Sequence, residues 1–256
     1  MANQTVQLLG IRVNAYTYSS WLDQIGHWIT EDGGSLKHIC TVNPEFLVIA
    51  QKEPEFYRVL SQANACIPDG TGVLLAARWL GQKLPSRITG SDGIYRLAER
   101  AAADGWRIFL LGAAPGVAEE AAARLQSHYP GLAVVGTYAG SPAEQEAEAI
   151  IALVNQSQAD ILLVAYGAPR QDLWIDRYRD RLAVRMAMGV GGAFDFVAGK
   201  VPRAPYWMRR WGLEWLFRLI RQPWRWRRML RLPVFVWLVL RYGSRPAVPR
   251  GLSEAV

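Results

Sequence analysis

The chain has 256 residues, 51% of them apolar, which is enough for one α/β domain with a sizeable core and an appendage. Its charge is divided unevenly: residues 200–256 carry 13 Lys and Arg against two Glu, a net charge of +11, whereas residues 1–199 carry a net charge of −4. The sequence contains no P-loop motif, no complete dinucleotide-binding glycine motif, no C-x-x-C pair and only three scattered histidines. These absences argue against a P-loop ATPase, an NAD enzyme and a zinc protein.

Short apolar runs alternate with helical segments between residues 36 and 190. The strand candidates are near-continuous apolar runs, as in a parallel sheet that is buried on both faces: residues 38–42, 65–68, 107–111, 133–135, 160–165 and 184–190. Pro44 and Pro54 are each suited to the first turn of a helix, and further helices are predicted at residues 70–80, 93–103, 116–129, 142–155 and 170–179. This alternation predicts an α/β fold with a doubly wound, mostly parallel sheet.

The segment after residue 199 differs from this α/β core. It is predicted to form one helix over residues 206–221 and a second over residues 224–232, with a break at Pro233 before seven apolar residues. We therefore expect an α/β core at residues 1–199, a helical membrane-associating appendage at 200–242 and a flexible tail at 243–256.

Arginine and tryptophan interleave in this appendage. Arg218, Arg221, Arg225 and Arg228 are spaced to share one helical face, although Pro223 divides it between two short helices. Six tryptophans accompany them, at positions 207, 211, 215, 224, 226 and 237. Basic and aromatic residues combine in this way at membrane interfaces, and also in nucleic-acid grooves, while a solvated basic face is the simplest alternative.

Nothing in the sequence indicates a targeting or spanning segment. The first ten residues have no basic stretch followed by a long apolar run, so we expect no signal peptide. The apolar run at residues 234–240 is far shorter than the roughly 20 residues that cross a bilayer. Cys40 and Cys66 lie in apolar runs and are predicted to be buried free thiols, which favours the cytoplasm.

Polar residues follow the predicted strands, where the loops of a parallel sheet face one crevice. Asp69 is the candidate general base there, because a carboxylate near apolar strand ends is suited to accept a proton, although it could instead cap the next helix. The other candidates for catalysis or substrate binding in these loops are Thr41, Asn43, Gly70, Arg87, Thr89, Asp92, Pro169, Arg170, Gln171, Gly191, Gly192 and Asp195.

Two further features concern phosphate. Gly112 lies in a turn between a strand and a helix, a geometry suited to the approach of a phosphate or nucleotide, although many α/β folds use such a turn only to reverse the chain. The sequence contains no Asp-x-Asp pair of the kind that holds a divalent cation on a departing diphosphate. Arginine is the residue that would replace the cation, so no metal or other cofactor is expected.

The motifs TVNPEF, IPDGTG, RITGSD, GAPRQDLWI and GVGGAFDFVAGKVPRAP resemble, in this order, the WecG/TagA/CpsF family of bacterial glycosyltransferases. The resemblance covers residues 41–228. It implies a Rossmann-like fold and metal-independent, inverting transfer from a UDP-sugar to a polyprenyl-pyrophosphate-linked acceptor in teichoic acid, common antigen or exopolysaccharide synthesis.

The resemblance also implies roles for individual residues. Asp69 is the implied base, and the substrate pocket is implied to be lined by Thr41, Asn43, Arg87 and Gln171. Arg218, Arg225 and Arg228 are implied to complete the site over the diphosphate. The tail is implied to bind the membrane and to convert an assembled, inactive form into an active monomer.

The sequence therefore predicts a peripheral glycosyltransferase at the cytoplasmic face of the membrane, which moves an N-acetylmannosamine-type sugar or a hexose. Its expected partners are the UDP-sugar, the lipid-linked acceptor, the membrane surface and, away from the membrane, further copies of the chain. Two alternatives belong to other classes of protein. One is a nucleic-acid-binding α/β module, and the other is a non-catalytic membrane adaptor that senses UDP.

Overall fold

The structure, a computed structural model, describes residues 4–31, 34–205, 207–208, 211, 213–223 and 226–247, without the side chain of Arg218. Its centre is a six-stranded sheet whose strands are β3 (Lys37–Val42), β4 (Ala65–Pro68), β5 (Arg107–Gly112), β6 (Ala133–Tyr138), β7 (Ile161–Ala165) and β8 (Met186–Gly189). The strand order is β4-β3-β8-β7-β5-β6, and every neighbouring pair is parallel. The predicted α/β fold with a Rossmann-like parallel sheet is confirmed.

All six predicted strands are present, and their ends differ most at the margins of the sheet. β6 continues to Tyr138 rather than ending at residue 135. It is the last strand of the order and pairs only with β5, so its residues are only half-buried and give no continuous apolar run. β8 is shorter than the predicted residues 184–190, because the flanking apolar residues Val184 and Val190 are buried outside the ladder.

Eight helices of the α/β core connect or flank these strands after β3. They are α2 (Pro44–Ala50), α3 (Pro54–Gln62), α4 (Thr71–Trp79), α5 (Gly90–Asp104), α6 (Val117–His128), α7 (Glu144–Gln156), α8 (Arg170–Tyr178) and α9 (Ala193–Val197). Pro44 and Pro54 occupy the first turns of α2 and α3, as predicted. Cys40 and Cys66 are buried free thiols, which confirms that prediction as well.

No helix or strand was predicted before residue 36, but three elements are present among the described residues 4–31. β1 (Thr5–Leu8) and β2 (Ile11–Asn14) form an antiparallel hairpin, followed by helix α1 (Tyr18–Thr30). The hairpin has one buried and one exposed face, as its alternating Thr-Val-Gln-Leu pattern indicates. Thr17 caps α1 through a reciprocal capping box with Ser20.

Among the residues that the structure describes after the α/β core are the helices α10 (Glu214–Arg221), α11 (Trp226–Met229) and α12 (Arg231–Tyr242). The predicted break at Pro233 is wrong, because α12 already begins two residues earlier. Proline is tolerated in a first helical turn, where its missing N–H would have no intrahelical partner. Part of the predicted helix at residues 206–221 and the start of the one at 224–232 lie outside the described residues.

Helix α12 and the turn after it are attached to the core. Phe235, Leu238 and Val239 of α12 are buried in a cluster with apolar residues of β1, β2, β3 and α2 to α4. Beyond α12, the carbonyl oxygens of Gly243 and Ser244 accept hydrogen bonds from backbone N–H groups in the turn between β1 and β2. These two residues fall in the predicted flexible tail, most of which, residues 248–256, lies outside the description. The division into segments at residues 199 and 242 stays a prediction.

Within the parts of the chain that the structure describes, no helix combines the length and apolarity needed to cross a bilayer.

The attachment of α12 can be tested with two leucines of the same helix. Leu238 is 7% exposed and packs in the core cluster, whereas Leu240 is 60% exposed. Leu238→Ala is expected to lower the free energy of unfolding by about 2–3 kcal/mol, because it removes buried methyl groups and leaves a cavity. Leu240→Ala is expected to change it by less than about 0.5 kcal/mol. Urea denaturation measures both values, and equal effects would contradict this packing.

Candidate active-site cleft

A cleft of about 450 Å³ lies at the carboxyl ends of β3, β4 and β8. The strand order brings these ends together, because β3 pairs with both β4 and β8. The core residues that line the cleft include Thr41, Asn43, Glu45, Asp69, Gly70, Arg87, Thr89, Gln171, Gly191 and Gly192. Helices α10 to α12, here called the C-terminal segment, line its other side with six residues: Glu214, Trp215, Arg228, Met229, Arg231 and Leu232.

Thr41 and Asn43 lie where β3 ends, and both side chains also stabilise the fold. The Thr41 hydroxyl is buried and donates a hydrogen bond of 3.0 Å to the carbonyl oxygen of Gly189 at the end of β8. The Asn43 side-chain oxygen caps α2 by accepting a hydrogen bond from the backbone N–H of Phe46. The wall of the cleft is therefore fixed by hydrogen bonds between adjacent elements.

Asp69 lies in the cleft on a turn that is held by the backbone. Its backbone N–H donates a hydrogen bond of 2.7 Å to the carbonyl oxygen of Val42. Asp69 could have capped the next helix, but the N-cap residue of α4 is Gly70. Gly70 has φ 100° and ψ 145°, a conformation that is strained for other residues. Asp69 is half-buried and lines the cleft together with Arg87.

Arg87 and Thr89 line the cleft next to the start of α5. Thr89 caps α5, since its hydroxyl oxygen accepts a hydrogen bond of 3.1 Å from the backbone N–H of Asp92. Asp92 lies outside the cleft and forms an ion pair with Arg203, at 2.7 Å. It lines a neighbouring pocket of about 530 Å³ that shares Arg87 with the cleft. Arg87 therefore lies between two cavities.

Gln171 connects the first turn of α8 with the loop after β8. Its side chain is buried, and its amide oxygen accepts a hydrogen bond of 2.9 Å from the backbone N–H of Gly191. Gly189 is required at the strand end, because a Cβ there would lie 2.3 Å from the Gln171 side-chain nitrogen. The peptide bond between Ala168 and Pro169 in the preceding loop is cis.

A buried polar cluster lies in the same part of the sheet but does not line the cleft. The Nε2 atom of His38 is 3.4 Å from Asp172 Oδ1 and 3.5 Å from Cys40 Sγ. Burial raises the pKa of the Cys40 thiol well above its usual range, so this group stays protonated at neutral pH. The three side chains offer potential metal ligands within 4.8 Å of one another, a grouping that the scattered histidines of the sequence did not indicate.

Several residues predicted to bind substrate do not line the cleft. Gly112 ends β5 and lies against Ala165 and Tyr166, and Arg170 is exposed on the first turn of α8. Arg221 lies over the Phe217 ring. Pro169 and Asp195 are likewise absent from the lining. Arg225 and the Arg218 side chain lie outside the described residues, so substrate contacts at all these positions stay predictions.

Arg228 lines the cleft as predicted, and two charged neighbours were missed. They are Glu45, in the first turn of α2, and Arg231. The guanidinium groups of Arg228 and Arg231 both bind the carboxylate of Glu45. Arg231 lies three residues after Arg228, so the arginine spacing of the appendage contained a signal for it. Glu45 lies within the TVNPEF motif, but a contact with a residue 186 positions away has no local signal.

Comparisons with known proteins identify the chain's relatives. A model described as the glycosyl transferase WecG/TagA/CpsF family matches residues 6–248. The chain is 36% identical to an N-acetylglucosaminyldiphosphoundecaprenol N-acetyl-beta-D-mannosaminyltransferase of Bacillus subtilis, over 90% of this chain and 88% of the relative. Proteins of the same name from Bacillus spizizenii and Staphylococcus aureus are 38% and 28% identical, over 82% and 91% of the chain and 81% and 91% of the relatives. The chain belongs to the WecG/TagA/CpsF family of glycosyl transferases.

Proposed function

We propose that this protein transfers an N-acetylmannosaminyl group from a UDP-activated donor to an N-acetylglucosamine carried on a polyprenyl diphosphate. The names of its relatives support this acceptor and this sugar. The observation that carries the proposal is the arrangement of Asp69 and three arginines, Arg87, Arg228 and Arg231, around one cleft. A single displacement at an anomeric carbon requires a base on one side and a group that stabilises the departing diphosphate on the other.

Asp69 is the proposed general base. It accepts the proton of an acceptor hydroxyl as the hydroxyl oxygen forms a bond to the anomeric carbon of the donor. The bond between that carbon and the diphosphate oxygen breaks, and its electron pair leaves with UDP. One displacement of this kind inverts the anomeric configuration. The position of Asp69 supports the role, because it lines the cleft on a turn that is bonded to the end of β3 through its backbone N–H.

The arginines of the cleft are proposed to stabilise the negative charge on the leaving diphosphate. Guanidinium groups donate paired, charge-assisted hydrogen bonds to phosphate oxygens, and this stabilisation is strongest where water is excluded. Arg87 contributes from the core and Arg228 and Arg231 from the C-terminal segment. In this proposal the transfer needs no divalent cation, which agrees with the lack of an Asp-x-Asp pair.

Thr41, Asn43 and Gln171 are proposed to shape the acceptor side of the pocket. The hydrogen bond of Thr41 to Gly189 joins the ends of β3 and β8, that of Asn43 fixes the start of α2, and that of Gln171 fixes the loop after β8. A pocket fixed in this way places the acceptor hydroxyl near Asp69 at no cost of reorganisation during the reaction.

We further propose that the protein works at the cytoplasmic face of the membrane, where its lipid-linked acceptor is held. Exposed aromatic side chains support this: Trp79, Trp207, Trp211, Trp226 and Trp237 are each more than half exposed. Helices α4 and α12 pack in the same apolar cluster and yet expose Leu75, Trp79, Trp237 and Leu240. Exposed tryptophans beside a strongly basic segment favour binding to anionic lipid head groups.

Asp69→Asn tests the proposed base. The variant keeps the size of the side chain but cannot accept the proton, so transfer is expected to fall by about 10² or more. Binding of UDP, measured by calorimetry, is expected to stay within about twofold, since the arginines are unchanged. Asp23→Asn, at a carboxylate on the exposed surface of α1, is the matched control and should turn over at the wild-type rate. Unchanged turnover of Asp69→Asn would remove Asp69 from the mechanism.

The membrane proposal is tested by replacing Trp211 and Trp237 together with alanine. Loss of two exposed tryptophans is expected to weaken binding to anionic phospholipid vesicles at least about tenfold, without lowering stability. Leu153→Ala, at a partly exposed leucine of α7, is the control and should bind as the wild type does. Vesicle cosedimentation measures these affinities. Salt-sensitive binding to single-stranded DNA without vesicle binding would instead favour the nucleic-acid alternative.

A further inference from the structure

Glu45 joins the core of the protein to its C-terminal segment at the edge of the cleft. It lies in the first turn of α2, and its side chain is only 16% exposed. The Nε atom of Arg228 is 3.0 Å from both carboxylate oxygens of Glu45, and its Nη2 atom is 2.6 Å from Oε2. The Nη1 atom of Arg231 donates to Oε1 of the same carboxylate. One carboxylate therefore holds two guanidinium groups that come from α11 and α12.

The charges of this cluster do not cancel. Two guanidinium groups and one carboxylate give these three side chains a net charge of +1, within a cleft whose lining as a whole has three carboxylates and three arginines. A guanidinium group has five N–H donors, and a single carboxylate cannot accept hydrogen bonds from all the donors of two such groups. The cluster can therefore bind an anion in the cleft while the contact to Glu45 persists.

Both sides of the contact are attached to well-packed elements. On the core side, Glu45 follows Pro44 in a helix that is capped by Asn43, and a carboxylate is favoured at a helix N-terminus. On the C-terminal side, Arg231 is the first residue of α12, which is packed into the core through Phe235 and Leu238. The ion pair of Glu45 with Arg231 thus sets the distance between the core side and the C-terminal side of the cleft.

We propose that Glu45 is a positioning residue, which holds Arg228 and Arg231 at the edge of the cleft before a diphosphate binds. The identity of that anion rests on the proposed function, whereas the docking of the C-terminal segment by Glu45 does not. Charge-assisted bonds of a carboxylate to arginine fix both the place and the orientation of the planar guanidinium group. The arginines then need no rearrangement when negative charge develops on the leaving group.

Hydrogen exchange on the full-length protein tests the docking without any assay of activity. Glu45→Gln removes the charge and keeps the size of the side chain. The amides that are hydrogen-bonded within α11 and α12, among them that of Leu230, which donates to the carbonyl oxygen of Trp226, are expected to exchange at least about tenfold faster in this variant, because local opening becomes easier. Glu148→Gln is the matched control, since Glu148 also binds an arginine through both oxygens but lies on the exposed surface of α7. It is expected to leave exchange in α11 and α12 unchanged.

Activity provides the second readout. Glu45→Gln is expected to lower kcat/KM for transfer by about ten- to a hundredfold, because misplaced arginines stabilise the leaving group less well. Glu45→Asp, which keeps the charge on a shorter side chain, is expected to recover part of this loss. If Glu45→Gln does not fold, the reciprocal variant Arg231→Gln is expected to raise exchange in the same segment.

The two proposals fail in different ways. Unchanged exchange of α11 and α12 in a folded Glu45→Gln or Arg231→Gln variant would overturn the positioning role, whatever the rate of transfer. Faster exchange in a protein whose wild type transfers no sugar would uphold the docking by Glu45 and overturn the proposed function.

Discussion

The parallel pairing of β3 with both β4 and β8 is the constraint on which the rest of the structure depends. It brings three strand ends to one edge of the sheet, although the chain reaches β8 only after building β5, β6 and β7 elsewhere. The hydrogen bond from the Thr41 hydroxyl to the carbonyl oxygen of Gly189 joins the ends of β3 and β8. Because the loops that follow these strands must diverge to leave the sheet, a cleft opens between them, and Asp69 and Gln171 lie in it.

The α/β core supplies only part of this cleft. Its remaining wall comes from the C-terminal segment, whose position depends on two different kinds of contact. Apolar packing of α12 fixes the segment on α2 and its neighbours, and the Glu45 carboxylate orients the two arginines that face the cleft. The same segment exposes tryptophans. In the proposed function, this segment therefore both contacts a lipid surface and completes the site.

The sequence allowed the sheet to be predicted, because strands that are buried on both faces are continuous apolar runs, as in residues 38–42 and 160–165. It also indicated Asp69, Thr41 and Gln171 through their places at strand ends. Contacts between distant segments were not predictable. The partner of Arg228 and Arg231 is Glu45, and no local pattern connects residues so far apart. Gly112 was predicted to lie near phosphate; it packs closely against β7 and does not line the cleft, so its contact with phosphate stays a prediction.

In the proposed reaction, arginine side chains and no metal ion hold the charge of the departing diphosphate. The most direct test is the initial rate of sugar transfer from the UDP-activated donor to a lipid-diphosphate-linked N-acetylglucosamine, with and without EDTA and with Mg²⁺ restored. The same rate is expected under all three conditions, because Arg87, Arg228 and Arg231 provide the positive charge. A rate that falls at least about tenfold in EDTA and recovers with Mg²⁺ would contradict the proposed reaction.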